Sequence, residues 1–192
     1  MGVLNVPYIS QSTQVHMKPF MQLAEMVGSL IAQISDSKIV NVKLSTEGGK
    51  DVKINTKTAR QLLEAKVLQG ILKKDYELQP DMISAPGMAR EANIESTILD
   101  DSVLKNNHNY LNLVSVQVTR EDGTESTVVG CVFGSTPHIV MIDSFEFTFK
   151  PQGNYVLTFK NEDKPGTYIC VHAVVEGKVN FYSFCRCCIG SS

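Results

Sequence analysis

No run of lysine or arginine interrupts this 192-residue sequence, no apolar stretch is long enough to cross a bilayer, and the familiar catalytic signatures are missing. Each absence removes a class of function. With 18 basic against 20 acidic residues and a formal net charge of -2, the chain carries no broad electrostatic footprint for a phosphate backbone, so nucleic acid is not an expected partner. A spanning helix takes about 20 consecutive apolar residues, and the first residues lack the charged and apolar regions of a secretory signal. "MGVLNV" resembles a myristoylation signal only superficially, because Val6 stands where that signal wants Ser or Thr. The expectation is a soluble protein without membrane partners, in the cytoplasm or an organelle matrix. There is no G-x-G-x-x-G after a strand, no Walker loop, no H-E-x-x-H and no G-x-S-x-G, so neither catalytic residues nor a bound cofactor are expected in this chain.

A disulfide framework is excluded next. Of five cysteines, Cys131 lies in an apolar run, Cys170 stands alone, and Cys185, Cys187 and Cys188 crowd the last residues. An odd count in a chain long enough to bury a core fits reduced thiols. Cys185 and Cys188 have C-x-x-C spacing, but a zinc site needs a second ligand pair and a redox site needs a strand before it and a stable helix after it. No metal is expected.

What is present is ordinary globular composition, 43% hydrophobic and 20% charged, sufficient for one substantial core. From Pro19, the apolar positions Phe20, Leu23, Ala24, Val27, Leu30, Ile31 and Ile34 recur at helical spacing. "KIVNVKL" and "DVKIN" read as two strands, with Gly48-Gly49 as a hairpin signal between them. Thr56 or Thr58 can cap a second helix with the stripe Leu62, Leu63, Val67, Leu68, Ile71 and Leu72. In "APGMAREAN", Pro86 suits a helix start and Asn93 a left-handed stop.

After Ile94 the composition turns to β. "NIESTIL", "NYLNLVSVQVT", "ESTVVGCVFG", "HIVMI" and "FEFTF" are β-branched or aromatic runs separated by turn residues, with Arg120-Glu121-Asp122-Gly123 as a hairpin turn. Helices first and antiparallel strands later predict an α+β fold: a mixed, mainly antiparallel sheet with two to three helices packed on it. "KPQGN" separates this body from a further strand, "YVLTFKNEDKPG", so the predicted domains are residues 1–152 and 153–192.

Among charged groups, His16 reads as a surface residue, His138 as structural at the start of a strand, and His172 has no clear place. Asp100-Asp101 reads as a charged turn. His108 lies in "LKNNHNY", a polar loop between two predicted strands with Lys105 close by. Loops held by a rigid sheet display binding groups, and Lys with imidazolium suits a phosphate or carboxylate. A merely solvated loop is the plainer reading of those residues alone.

The series "LNVPYIS", "KPFMQLAEMVGSLIAQI", "ISAPGMAREANIE" and "VVGCVFGSTPHIVMIDSFEFTFKPQGNYVLTFKNEDKPG" resembles, in order, the C-terminal half of the long-form D-3-phosphoglycerate dehydrogenase family over residues 4–166. The resemblance implies an allosteric substrate binding, or intervening, domain up to residue 152, followed by the first strand and D-x-P-G turn of an ACT domain. After Gly166 the tail departs from the family pattern, so the ACT-like segment is expected to be incomplete and to form no working serine site. That family oxidises 3-phosphoglycerate with NAD in serine biosynthesis, but its nucleotide-binding domain and Arg-Glu-His set have no counterpart here, so the chain is expected to be inactive alone.

The resemblance also assigns roles by position. The His108 loop is similar to the family's anion-sensing loop, with Lys105 as its nearest cation. A family arginine is replaced by Phe145, with Lys150 as a substitute cation, and Asn161 and Asp163 match effector-contacting positions of serine-binding ACT domains. The implied partners are the parent enzyme's catalytic domains, phosphate or 3-phosphoglycerate, and further copies of the chain in a homo-oligomer. The alternative is a ligand-free scaffold that supports oligomerisation. A third class, a relative of the iron-sulfur serine dehydratases, requires cluster cysteines in a catalytic domain, whereas the cysteines here bunch in the tail.

Overall fold

The computed structural model describes residues 11–48, 54–74, 80–99, 110, 112–151 and the strand pairs 156–157, 160–161, 180–181 and 184–185. By internal contacts the chain divides into two units, Met1–Phe149 and Lys150–Ser192. The first contains helices α1 (Gln11–Gln33), α2 (Lys57–Leu72) and α3 (Ala85–Glu91), and strands β1 (Ile39–Glu47), β2 (Glu95–Leu99), β3 (Leu113–Arg120), β4 (Glu125–Phe133), β5 (Thr136–Ile142) and β6 (Phe145–Phe149). The strands form one sheet in the order β2-β1-β3-β4-β5-β6, parallel only between β1 and β2. The architecture is α+β, with a mixed, mostly antiparallel sheet. In the second unit, β7 (Val156–Leu157) pairs in parallel with β9 (Asn180–Phe181), and β8 (Lys160–Asn161) with β10 (Phe184–Cys185).

Residue alternation along each strand decides which side chains meet the helices. Val42 and Leu44 pair with Val118 and Val116, which pair in turn with Ser126 and Val128; all six are buried. Gly130 in the same row lies directly under Leu23 of α1, which fixes this as the helix-covered face. Each fully buried Leu, Ile or Val on that face contributes about 1.5–3 kcal/mol relative to exposure.

The periodicity located α1 but not its beginning. The helix starts at Gln11, so Pro19 sits inside it although proline removes a backbone donor. Met17 is 2% exposed, one turn before Phe20, and its burial ties the added N-terminal turns to the core. The strand expected from "DVKIN" falls mainly on residues 51–53, which lie outside the described residues, and Ile54–Asn55 form a turn.

Other local signals act as their chemistry dictates. Thr56 Oγ1 accepts from the Ala59 amide at 3.2 Å and caps α2, Pro86 occupies the first turn of α3, and Asn93 adopts φ 58° beyond its end. Gly123 takes φ 79° in the turn between β3 and β4. Arg120, which the sequence placed in that turn, instead ends β3 with 2% exposure. Its Nη2 donates to the Ile31 carbonyl at 3.1 Å and its Nη1 to Ser126 Oγ at 2.9 Å, so a buried cation meets the negative end of α1.

α1 and α2 cross at very short range. A Cβ on Gly28 would lie 2.2 Å from the Val67 carbonyl oxygen, and one on Gly70 2.2 Å from that of Glu25. Beside the crossing, Glu25 is paired with Lys66 at 2.9 Å and with Lys73, while Gln69 accepts from Lys66 at 2.8 Å and donates to the Pro80 carbonyl at 2.9 Å. Burial pushes the Glu25 carboxyl up, but the hydrogen bonds and charges of Lys73 and Lys66 outweigh it and hold the pKa below 4.5.

Candidate functional site

The opposite face of the sheet leads to the predicted effector loop. Leu113, Val129, Cys131, Val140 and Met141 form a buried apolar cluster there, and Tyr110 packs against it. Burial pushes the Cys131 thiol up to about 11, so its sulfur serves as a small apolar group. The Tyr110 ring lies 5.9 Å from that of Phe133, which lies 4.8 Å from His138. Phe133 is 43% exposed, so this aromatic row meets solvent.

Two polar contacts fix the row. The Tyr110 hydroxyl and Thr148 Oγ1 share a hydrogen bond at 3.1 Å, and His138 Nδ1 lies 3.0 Å from the Thr136 carbonyl oxygen. The imidazole is half-buried and anchored to backbone, in keeping with a structural role. Tyr110 and Thr148 join the end of the chain segment that precedes β3 to the exposed side of β6.

The predicted site residues are distributed unevenly over this geometry. Lys105, His108 and Asp163 lie outside the described residues, and Asn161 is described only as part of β8. Lys150 directly follows β6 and is exposed. His16 is exposed on α1, and His172 lies outside the described residues. Sequence reasoning passed over Tyr110 and Thr148. The signal available for them was a tyrosine closing the polar loop "KNNHNY", and the alternation in "FEFTF" that turns Glu146 and Thr148 to the face opposite the phenylalanines.

A concavity of about 650 Å³ opens elsewhere, where the C-terminal ends of α1 and α2 meet the start of β1 and Ile94. Its cations are already engaged. Lys74 Nζ donates to the Ala32 carbonyl at 3.2 Å, the Ser35 carbonyl at 3.0 Å and Asp36 Oδ1 at 3.2 Å, which uses all three ammonium protons. Lys38 lies 3.9 Å from Glu121. An incoming anion would have to displace these partners, so the Tyr110 end of the sheet is the better candidate.

No described helix is long and apolar enough to cross a membrane. Residues 16–143 match the family model of the D-3-phosphoglycerate dehydrogenase intervening domain. The chain is 28% identical over 173 residues to the D-3-phosphoglycerate dehydrogenase of Methanocaldococcus jannaschii, covering 88% of this chain and 31% of that protein. It is 29% identical over 165 residues to the enzyme of Archaeoglobus fulgidus (86% and 29%) and 25% identical over 166 residues to that of Bacillus subtilis (86% and 30%). The chain thus spans about three-tenths of the length of these curated relatives. A family match extending from α1 through β5 means that the chain belongs to the D-3-phosphoglycerate dehydrogenase intervening-domain family.

Proposed function

We propose that this chain is the regulatory, anion-sensing and subunit-contact module of a D-3-phosphoglycerate dehydrogenase, and that a phosphorylated acid docks on the loop bearing Lys105 and His108. The observation that carries the reading is the hydrogen bond between Tyr110 and Thr148. Tyr110 comes two residues after His108, and Thr148 two residues before Lys150, so this bond anchors the loop's end to the strand that precedes the third cation. An ammonium and an imidazolium on an anchored loop can form charge-assisted hydrogen bonds to phosphate oxygens, with Lys150 adding positive charge.

Dehydrogenase chemistry and its NAD belong, on this reading, to the parent enzyme's catalytic domains. The module acts through differential affinity: an effector that binds one arrangement better shifts the population toward it, with coupling typically of about 1–3 kcal/mol. On the same reading Asn161 and Asp163 of the ACT-like segment hold no serine.

Calorimetric titration of the chain with 3-phosphoglycerate, inorganic phosphate and L-serine, at about pH 6 and about pH 8, tests this by spanning the ordinary histidine range. Saturable binding of the phosphorylated ligands, weaker at the higher pH, is expected, with no heat from serine. His108→Ala should weaken phosphate binding about tenfold, equivalent to about 1.4 kcal/mol, and flatten the pH dependence. An affinity that His108→Ala leaves unchanged would sink the assignment, and silence with all three ligands would leave the scaffold reading.

A further inference from the structure

The concavity of about 650 Å³ at the C-terminal ends of α1 and α2 takes no part in the proposed phosphate site. Its volume falls in the range of about 300–1,000 Å³ usual for small-molecule sites. Ala32, Ile39, Ile71, Leu72, Ala92 and Ile94 give it an aliphatic floor, and Asp36, Ser37, Lys38 and Lys74 form a polar rim. A neighbouring groove of about 590 Å³ lacks such a floor: Arg90, Asn93, Glu95, Ser96 and Thr97 line it, with Ile94 as the apolar member. An aliphatic group is therefore accommodated in the first and not in the second.

The rim carries both signs of charge at short range. Asp36 Oδ1 accepts from Lys74 Nζ at 3.2 Å, and the Asp36 side chain is otherwise open to solvent. Lys74 also donates to the Ala32 and Ser35 carbonyls, which ties it to the end of α1. Lys38 lies 3.9 Å from Glu121, beyond hydrogen-bond distance, and both side chains are more than half exposed. A lone anion would have to strip Lys74 of its acceptors, whereas a ligand bearing an ammonium and a carboxylate gives rim charges of both signs a partner. Both helices end at this concavity, and the negative end of a helix favours an ammonium. We infer that the concavity binds a zwitterionic α-amino acid with a branched aliphatic side chain. The ligand's ammonium meets Asp36, its carboxylate meets Lys38, and its side chain covers the aliphatic floor. A small hydroxylated side chain such as that of serine leaves most of that floor bare and brings a polar group against it.

Calorimetric titration of the full chain with L-leucine, L-alanine, 4-methylpentanoate and 3-methylbutylamine takes the ligand apart group by group. L-Leucine should bind saturably. The other three lack the branched side chain, the ammonium and the carboxylate respectively, and each should bind at least about tenfold more weakly. Asp36→Asn, at an exposed position, should weaken leucine binding about tenfold. Ala92→Leu, which fills the floor, should abolish it in a chain whose circular dichroism is unchanged. Inorganic phosphate should not displace leucine, so a failure of the phosphate site leaves this one standing. No saturable leucine binding, equal affinity for 4-methylpentanoate, indifference to Asp36→Asn, or displacement of leucine by phosphate would each overturn the proposal.

Discussion

The two faces of the sheet are built on different terms. On the helix-covered face, α1 and α2 approach until the carbonyl oxygens of Val67 and Glu25 occupy the places of the missing Cβ atoms of Gly28 and Gly70, and a buried arginine meets the end of α1. On the opposite face the apolar cluster is smaller and its margin is aromatic, with Phe133 substantially exposed and Tyr110 tethered to Thr148. Close packing at the α1–α2 crossing leaves no room even for a methyl group, whereas the other face presents polar tips on aromatic bodies to solvent. On the proposed reading stability and recognition lie on different faces, and substitutions on each face test that division.

The largest effect is expected from Gly28→Ala. A methyl group cannot share space with a carbonyl oxygen at 2.2 Å, so the helices must separate and unpack Leu23, Val27 and Ile31 on one side and Leu63 and Leu68 on the other. Urea denaturation should show a loss of about 3 kcal/mol, while phosphate binding by the molecules still folded should be unchanged. A loss below about 1 kcal/mol would mean that the crossing is looser than described.

A smaller effect, dependent on pH, is expected from Glu25→Gln. The folded-state pKa of Glu25 is lowered, so its contribution to stability is present above the ordinary value of 4.5 and is lost as pH falls through the lower folded value. Because Glu25, Lys66 and Lys73 are partly exposed, the loss near neutrality should be about 1 kcal/mol at most. The variant's stability should then fall less steeply than wild type on acidification. Parallel acid limbs for the two proteins would show that the lysines do not favour the ionised carboxylate.

Sequence legibility followed the same division. The five β runs after Ile94, the Asp122-Gly123 turn, the Thr56 cap and the Asn93 stop were readable because each depends on a local rule of alternation, capping or positive φ. The early start of α1 was hidden because Pro19 signals a helix start, and only tertiary burial of Met17 overrides that signal. Arg120 read as a turn residue because its burial depends on α1, some ninety residues earlier in the chain. For the candidate site, composition pointed to a polar loop with Lys105 and His108, but the Tyr110 to Thr148 tether crosses 38 positions and had no pattern to announce it.

The most direct measurement is an amide chemical-shift map of the isotopically labelled chain titrated with inorganic phosphate and 3-phosphoglycerate. The account predicts saturable perturbations at Lys105–Tyr110 and at Thr148–Lys150, with the α1–α2 crossing around Gly28 and Gly70 unmoved. Perturbations confined to the groove at Arg90–Thr97, or none at saturating ligand, would contradict it.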